Sequence, residues 1–226
     1  AATSGAVVRR VPGLAPDRGL ALRFASDTPA SFVDAGTVRG DDVHVSGVDD
    51  DFLQVRSRWT ISAWFRLEAD PNGGDYVIAS SDFVNPGGWL LGIRGGSLFF
   101  DFLSFRRGGP AVARDTTYFV AVQGDDQSPF DGSPSRFLLW DGAVWTEVTT
   151  AGFVEPRLQG LEIGSFAGGD RQFVGVIDDV RISDEVVTMS ELARRVAPPV
   201  PLAPSADGLP SMAGTYSGRV RLDTAG

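Results

Sequence analysis

Apolar and polar residues alternate along most of this chain, and that alternation predicts strands. Trp59, Ile61, Ala63 and Phe65 point one way and Thr60, Ser62, Trp64 and Arg66 the other. Residues 59–67 therefore make a strand with one core face and a second face that is polar except for Trp64. Leu161 and Ile163, then Val174, Val176, Val180 and Ile182, alternate in the same way. Further strands are predicted at Val7 to Val11, Leu20 to Phe24, Val43 to Val45, Tyr76 to Ser80 and Thr117 to Val122. Gly88 to Ile93 and Ser97 to Phe102 form a hairpin about Arg94-Gly95-Gly96. Arg136 to Trp140 and Val144 to Val148 form another about Asp141-Gly142, which reads as a type I′ turn. One helical signature stands out. Thr188 precedes Glu191 by three residues as a capping box, Leu192 and Val196 follow, and Pro198-Pro199 end the run. The pattern predicts an all-β, two-sheet antiparallel sandwich with one short helix near residues 189–196.

After Val196 the pattern is lost. The run APPVPLAPSADGLPSMAG is rich in Pro and Ala without period, so residues 197–226 read as an extended tail or linker. Tyr216 to Leu222 alternates again, as a final strand that pairs with a neighbouring chain or a following domain. The sandwich occupies residues 1–196, and the tail is expected to lie along a partner chain or partner domain, leaving few contacts with its own sandwich.

Several of these segments match a known pattern. Ile163-Gly164-Ser165, then Phe173 to Ile182 with its Ile177-Asp178-Asp179-Val180-Arg181-Ile182 core, then the capped helix, resemble the closing segment of laminin-G-like domains. These belong to the concanavalin A-like jelly-roll superfamily of lectins and glucanases. Trp59 to Leu67 resembles that family's Phe-Thr-Ile-Ser-Ala-Trp-Phe strand, and Gly88 to Ile93 its Gly-Trp/Phe-x-Leu-x-Ile strand. Leu22-Arg23-Phe24 with Ser26-Asp27 and Phe32-Val33 is similar to its opening strand and loop. Thr117 to Val122 and the Asp141-Gly142 hairpin also fall in family order. The resemblance covers roughly residues 20–196 and implies a jelly-roll fold, a recognition role, and an extracellular, cell-surface or virion setting.

Composition narrows the function. The chain has 226 residues and a formal charge of −9, with no Cys, one His and no Lys. A phosphate backbone is repelled by that charge, so nucleic acid is an unfavourable partner. Without Cys there is no disulfide, thiolate nucleophile or cysteine metal site. No apolar run approaches the ~20 residues of a membrane helix, so membrane insertion is not expected. A GC-rich genome accounts most simply for the missing Lys. The chain starts at Ala1 without an initiator Met or a visible signal peptide, as a processed form or a piece of a longer protein would. The acids are mostly Asp in loops, which fits either solvated turns or Ca²⁺ ligation.

Candidate chemistry is sparse. The resemblance implies a structural Ca²⁺ site at Asp178, with Asp27 and Asp34 as partners. Otherwise one of the paired aspartates caps a bulge and pairs with Arg181 or Arg23. Asp49-Asp50-Asp51 lacks the Gly and Glu of an EF-hand loop and reads as a solvated acidic loop. His44 is an outward strand residue, and zinc would want more His or Cys ligands. The Glu-x-Asp-x-x-Glu strand of retaining glucanases is absent, so hydrolysis by that route is not expected. Among the tryptophans, Trp145 after the Asp141-Gly142 turn and Trp64 on a polar strand face are the candidates for stacking on a ligand.

The leading reading is a non-catalytic, lectin-like or adhesive module that binds a glycan or a protein surface through loops at the sandwich edge. A second is a structural subunit of a virus particle, phage tail or surface assembly, docked through the 197–226 tail. A third is a lyase or hydrolase using Asp and Tyr, which a reducing-end assay on a glycan panel would expose.

Overall fold

In the computed structural model the described residues are 9–14, 20–24, 33–37, 58–81, 88–102, 105–125, 135–150, 160–166, 171–197 and 221–223. They hold fourteen strands and one helix. The strands are β1 (Arg9–Pro12), β2 (Leu20–Phe24), β3 (Val33–Thr37), β4 (Arg58–Leu67), β5 (Asp75–Ser81), β6 (Trp89–Arg94) and β7 (Ser97–Phe102). They continue as β8 (Phe105–Ala111), β9 (Thr117–Asp125), β10 (Ser135–Trp140), β11 (Trp145–Thr150), β12 (Gly160–Ile163), β13 (Gly175–Ser183) and β14 (Arg221–Asp223). Helix α1 spans Met189–Val196.

Two sheets pack face to face. The larger runs β1-β2-β13-β4-β9-β10-β11, with β14 beside β13, and the smaller runs β3-β12-β5-β6-β7-β8. Every pairing is antiparallel except β13 with β14. Between the sheets lie Phe24, Trp59, Ile61, Phe65, Ile78, Trp89, Leu91, Phe100, Val120, Phe137, Phe173 and Ile177, all nearly or fully buried. Trp59 stacks on Phe100 and Phe100 on Trp89, at ring-centroid distances of 5.2 and 5.9 Å. Aromatic pairs of this kind add to what their buried area contributes.

The turns differ from the sequence reading at one hairpin. Gly95 and Gly96 have φ of +55° and +77°. They form the type I′ turn between β6 and β7, where both central residues need positive φ. At the β10–β11 hairpin Gly142 has positive φ but Asp141 does not. The tip there is Gly142-Ala143, and Asp141 flanks it. The Asp141 Oδ1 accepts the backbone N–H groups of Ala143 and Val144, each at 2.9 Å.

β13 carries a bulge between Asp178 and Arg181. Asp179 sits there at φ +48°, and its Oδ1 accepts the Arg181 Nε–H at 2.9 Å. Bulges leave an extra residue unpaired and bend the strand, and Asp tolerates the left-handed region better than most. The bulge-capping alternative for the paired aspartates is therefore the arrangement observed.

The final strand corrects an expectation. Residues 221–223 pair with Arg181, Ile182 and Ser183 of the chain's own β13. β2 covers only Gly175 to Ile177 on that side of β13, so β14 takes up the edge that β2 leaves. The expected strands at Val43 to Val45, together with His44 and Asp49 to Asp51, lie outside the described residues.

Candidate functional site

The outer face of the larger sheet is organised by strand alternation. β4 presents Thr60, Ser62 and Trp64 there, and β9 presents Gln123, Ala121 and Phe119 opposite them. β10 continues the rows with Arg136, Leu138 and Trp140, and β11 with Thr149, Glu147 and Trp145. One end of this face is therefore polar and the other aromatic.

The polar end is closed by the segment leading into α1. The Thr60 hydroxyl donates to the Glu185 carbonyl at 2.7 Å and accepts the Val187 N–H at 2.9 Å. Gln123 Nε2 donates to Thr60 Oγ1 at 3.1 Å and to the Val187 carbonyl at 2.7 Å. Gln123 Oε1 accepts Arg136 Nε and Nη2 at 3.2 and 2.6 Å. Thr188 caps the helix by accepting the Glu191 N–H, as the capping box predicted. Leu192 then packs beside Trp64, Phe119, Ala121, Leu138 and Val187. The face read as polar on β4 is therefore buried. Thr60 and Gln123 are satisfied by one another and by the 185–187 backbone, and Arg195 Nη1 donates to the Ser62 hydroxyl at 3.4 Å, as buried polar groups require.

At the aromatic end α1 gives way to a partly exposed shelf. Trp140 and Trp145 are cross-strand partners, with ring centroids 5.6 Å apart and planes at 42°. Trp145 also meets Phe119 edge-on at 6.1 Å, and Phe119 lies 5.4 Å from Trp64. Leu14 and Val196 pack at its border. Both shelf tryptophans are partly exposed, and Val144 at the hairpin tip is 58% exposed. Along β11 the exposed residues Glu147 and Thr149 continue the surface. Large rings held rigidly by a hairpin, beside polar side chains, suit a ligand with both C–H faces and hydroxyls.

Of the two tryptophans singled out by sequence, Trp145 stands on this shelf. Trp64 does not reach the surface: it is 5% exposed, because α1 and Phe119 cover it. It supports the shelf from beneath, which corrects its reading as a stacking surface. Trp140 was not singled out, because the predicted Asp141-Gly142 turn places it opposite Ala143, whereas the observed Gly142-Ala143 tip places it opposite Trp145.

Of the residues named for Ca²⁺, Asp178 and Asp34 stand on strands of different sheets. Asp178 pairs with Trp64 on β13 of the larger sheet, and its Oδ2 accepts the Leu14 N–H at 3.1 Å. Asp34 stands on β3 of the smaller sheet, opposite Glu162. Carboxylates sharing a Ca²⁺ each lie about 2.3–2.6 Å from it. β13 and β3 belong to different sheets, and Asp178 faces away from the interior. Asp27 lies outside the described residues. Among the described residues no three acidic, His or Cys side chains gather as metal ligands.

Glu68 and Glu162 serve structural partners. Glu68 accepts Arg23 Nη2 at 2.8 Å and Arg66 Nη2 at 3.1 Å. Burial raises its carboxyl, but the two guanidiniums outweigh that and hold it below the usual range. Glu162 accepts the Ser165 hydroxyl at 3.1 Å. The Asp141 carboxyl is lowered by the Val144 and Ala143 N–H groups. No described helix is long and apolar enough to cross a membrane.

Residues 39–193 match the laminin-G family Laminin_G_3, described as the concanavalin A-like lectin/glucanases superfamily. No curated protein matches the chain. Among solved structures it is similar to the CBM40 of the Ruminococcus gnavus IT-sialidase bound to α2,3-sialyllactose. The identity is 12% and the TM-score 0.47, over 75% of this chain and 99% of that one. A putative carbohydrate binding protein from Bacteroides ovatus has 15% identity and a TM-score of 0.44, over 66% and 44% of the two chains. The receptor binding domain of botulinum neurotoxin type G has 12% identity and a TM-score of 0.47, over 85% and 51%.

Proposed function

The chain belongs to the concanavalin A-like lectin/glucanases superfamily, and on that premise we propose that it is a non-catalytic module that binds glycans on the Trp140–Trp145 shelf. The observation that carries this reading is the shelf itself. Two partly exposed indoles are fixed across a hairpin, and hydroxyl and carboxylate side chains follow along the same edge strand. A sugar ring stacks its C–H face on an indole and directs its hydroxyls to the neighbouring polar groups. Rigid aromatics lose little conformational entropy on binding, which favours them as anchors. The missing Glu-x-Asp-x-x-Glu strand, and glutamates engaged with Arg and Ser, favour binding over hydrolysis. An extracellular setting follows from the same reading, since glycans of this kind are displayed there.

The test is a glycan array probed with the whole chain and with Trp145→Ala. Binding that falls at least about tenfold in the variant, with the fold retained by circular dichroism, supports the reading. Equal binding by both proteins places the ligand elsewhere on the sandwich, and a blank array removes the glycan assignment.

A further inference from the structure

We infer that the shelf takes uncharged oligosaccharides and turns away acidic ones, with Glu147 as the residue that sets this preference. The inference rests on the glycan-binding reading above and names the ligand class of the same site.

Its basis is how the charges beside Trp145 are committed. Arg136 is a cation on this face, two rows from Trp140 on β10, while Arg195, 8% exposed, lies over Ser62 on the same face. Its Nε and Nη2 both bond Gln123 Oε1, and Gln123 is 2% exposed and fixed in turn by Thr60 and Val187. Its Nη1 lies 3.6 Å from Glu147 Oε1. The guanidinium is thus held against the sheet by a buried amide, with its remaining face toward a carboxylate. A ligand carboxylate would have to displace Glu147 or break the Gln123 contacts to reach it.

Glu147 is the more open partner. Its side chain is 49% exposed against 32% for Arg136. It shares a face with Trp145, two residues along the strand, about 6.6–6.8 Å away. That is within reach of the hydroxyls of a ring stacked on Trp145. A carboxylate accepts hydroxyl hydrogen bonds strongly, because the acceptor is charged. The same charge opposes an acidic sugar: two like unit charges at contact distance lower affinity about fivefold even at the dielectric of water. Asp141 beside the hairpin tip and the formal charge of −9 add to the repulsion at longer range.

The experiment titrates the whole chain, by tryptophan fluorescence and calorimetry, with two matched pairs. These are lactose with sialyllactose, and cellotetraose with its uronate form oxidised at C6. The expected result is that the uncharged member of a pair binds and its acidic counterpart binds at least about fivefold more weakly. Glu147→Gln should weaken the uncharged sugar and close the gap within the pair. The Arg136–Glu147 contact is exposed and long, so the variant should fold as the parent does. An acidic member that binds as tightly as its neutral partner, or a gap unaltered in Glu147→Gln, overturns the inference and leaves glycan binding standing. If neither pair binds, the inference fails as well. An array signal elsewhere then preserves the glycan reading, and a blank array removes both.

Discussion

Thr60 gives the sharpest test of how the outer face is held. Its side chain is 1% exposed, and its hydroxyl makes three hydrogen bonds: to the Glu185 carbonyl, from the Val187 N–H and from Gln123 Nε2. Thr60→Val keeps the shape and replaces the hydroxyl with a methyl. Three bonds at about 1 kcal/mol net each are lost, and the buried Val187 N–H and the part-buried Glu185 carbonyl lose this partner. The added methyl returns about 0.8 kcal/mol. The balance is a loss of roughly 2–4 kcal/mol, or about 4–16 °C for a domain of this size. Thr60→Ser keeps the hydroxyl and loses a methyl, at about 1 kcal/mol. The two variants thus rank oppositely under the two explanations of this face. If polar satisfaction holds α1 down, Val is worse than Ser; if apolar burial does, Ser is worse than Val. Urea unfolding followed by tryptophan fluorescence measures both. Hydrogen exchange at residues 187–196 should quicken in Thr60→Val alone. A Val variant as stable as the parent would refute the account of the network.

Two further expectations concern charge. Glu68 is depressed from its ordinary value of 4.5, so its contribution to stability is present above that value and is lost as pH falls through the lower folded value. The melting-temperature difference between the parent and Glu68→Gln should be constant near neutrality, shrink below about pH 4.5 and vanish in stronger acid; a difference that grows on acidification contradicts the two-arginine clamp. Because Asp178 Oδ2 already holds the Leu14 N–H, EDTA or added Ca²⁺ should leave the melting temperature unchanged, and Asp178→Asn should cost about 1 kcal/mol as a charged acceptor becomes neutral. A Ca²⁺-dependent rise in melting temperature that Asp178→Asn abolishes would make this residue a ligand after all.

The alternating strands and the capped helix were legible because local period and capping chemistry fix them. β4 and β13 fall where alternation puts them, and α1 spans Met189–Val196. β8 was not predicted: its Gly108, Gly109 and Pro110 carry no alternating apolar pattern. It lies at the edge of the smaller sheet, where Pro costs no ladder bond. Gly109 has a tertiary reason as well, since a Cβ there would come within 2.8 Å of Phe137. Trp64 misled for a related cause. Alternation tells which side of a strand a residue takes, and not that a helix 125 positions later covers that side. The shelf was half legible, through Trp145 and its turn. The Ca²⁺ set was drawn from family likeness, and the sheets to which Asp34 and Asp178 belong could not be read from spacing.

The place of β13 in the larger sheet also governs when the protein can fold as it is made. β13 lies between β2 and β4, so these two early strands are joined only through residues 175–183. A ribosome that has finished β4 at Leu67 must add the rest of the chain to Ser183 before that join exists. At about 5–20 residues per second, this leaves the facing edges of β2 and β4 open for roughly 6–23 seconds. Pairing between strands so distant in sequence is intrinsically slow. Nascent chains should therefore be most prone to aggregation in that interval, and a stall placed after β12 should lower soluble yield more than one placed after α1.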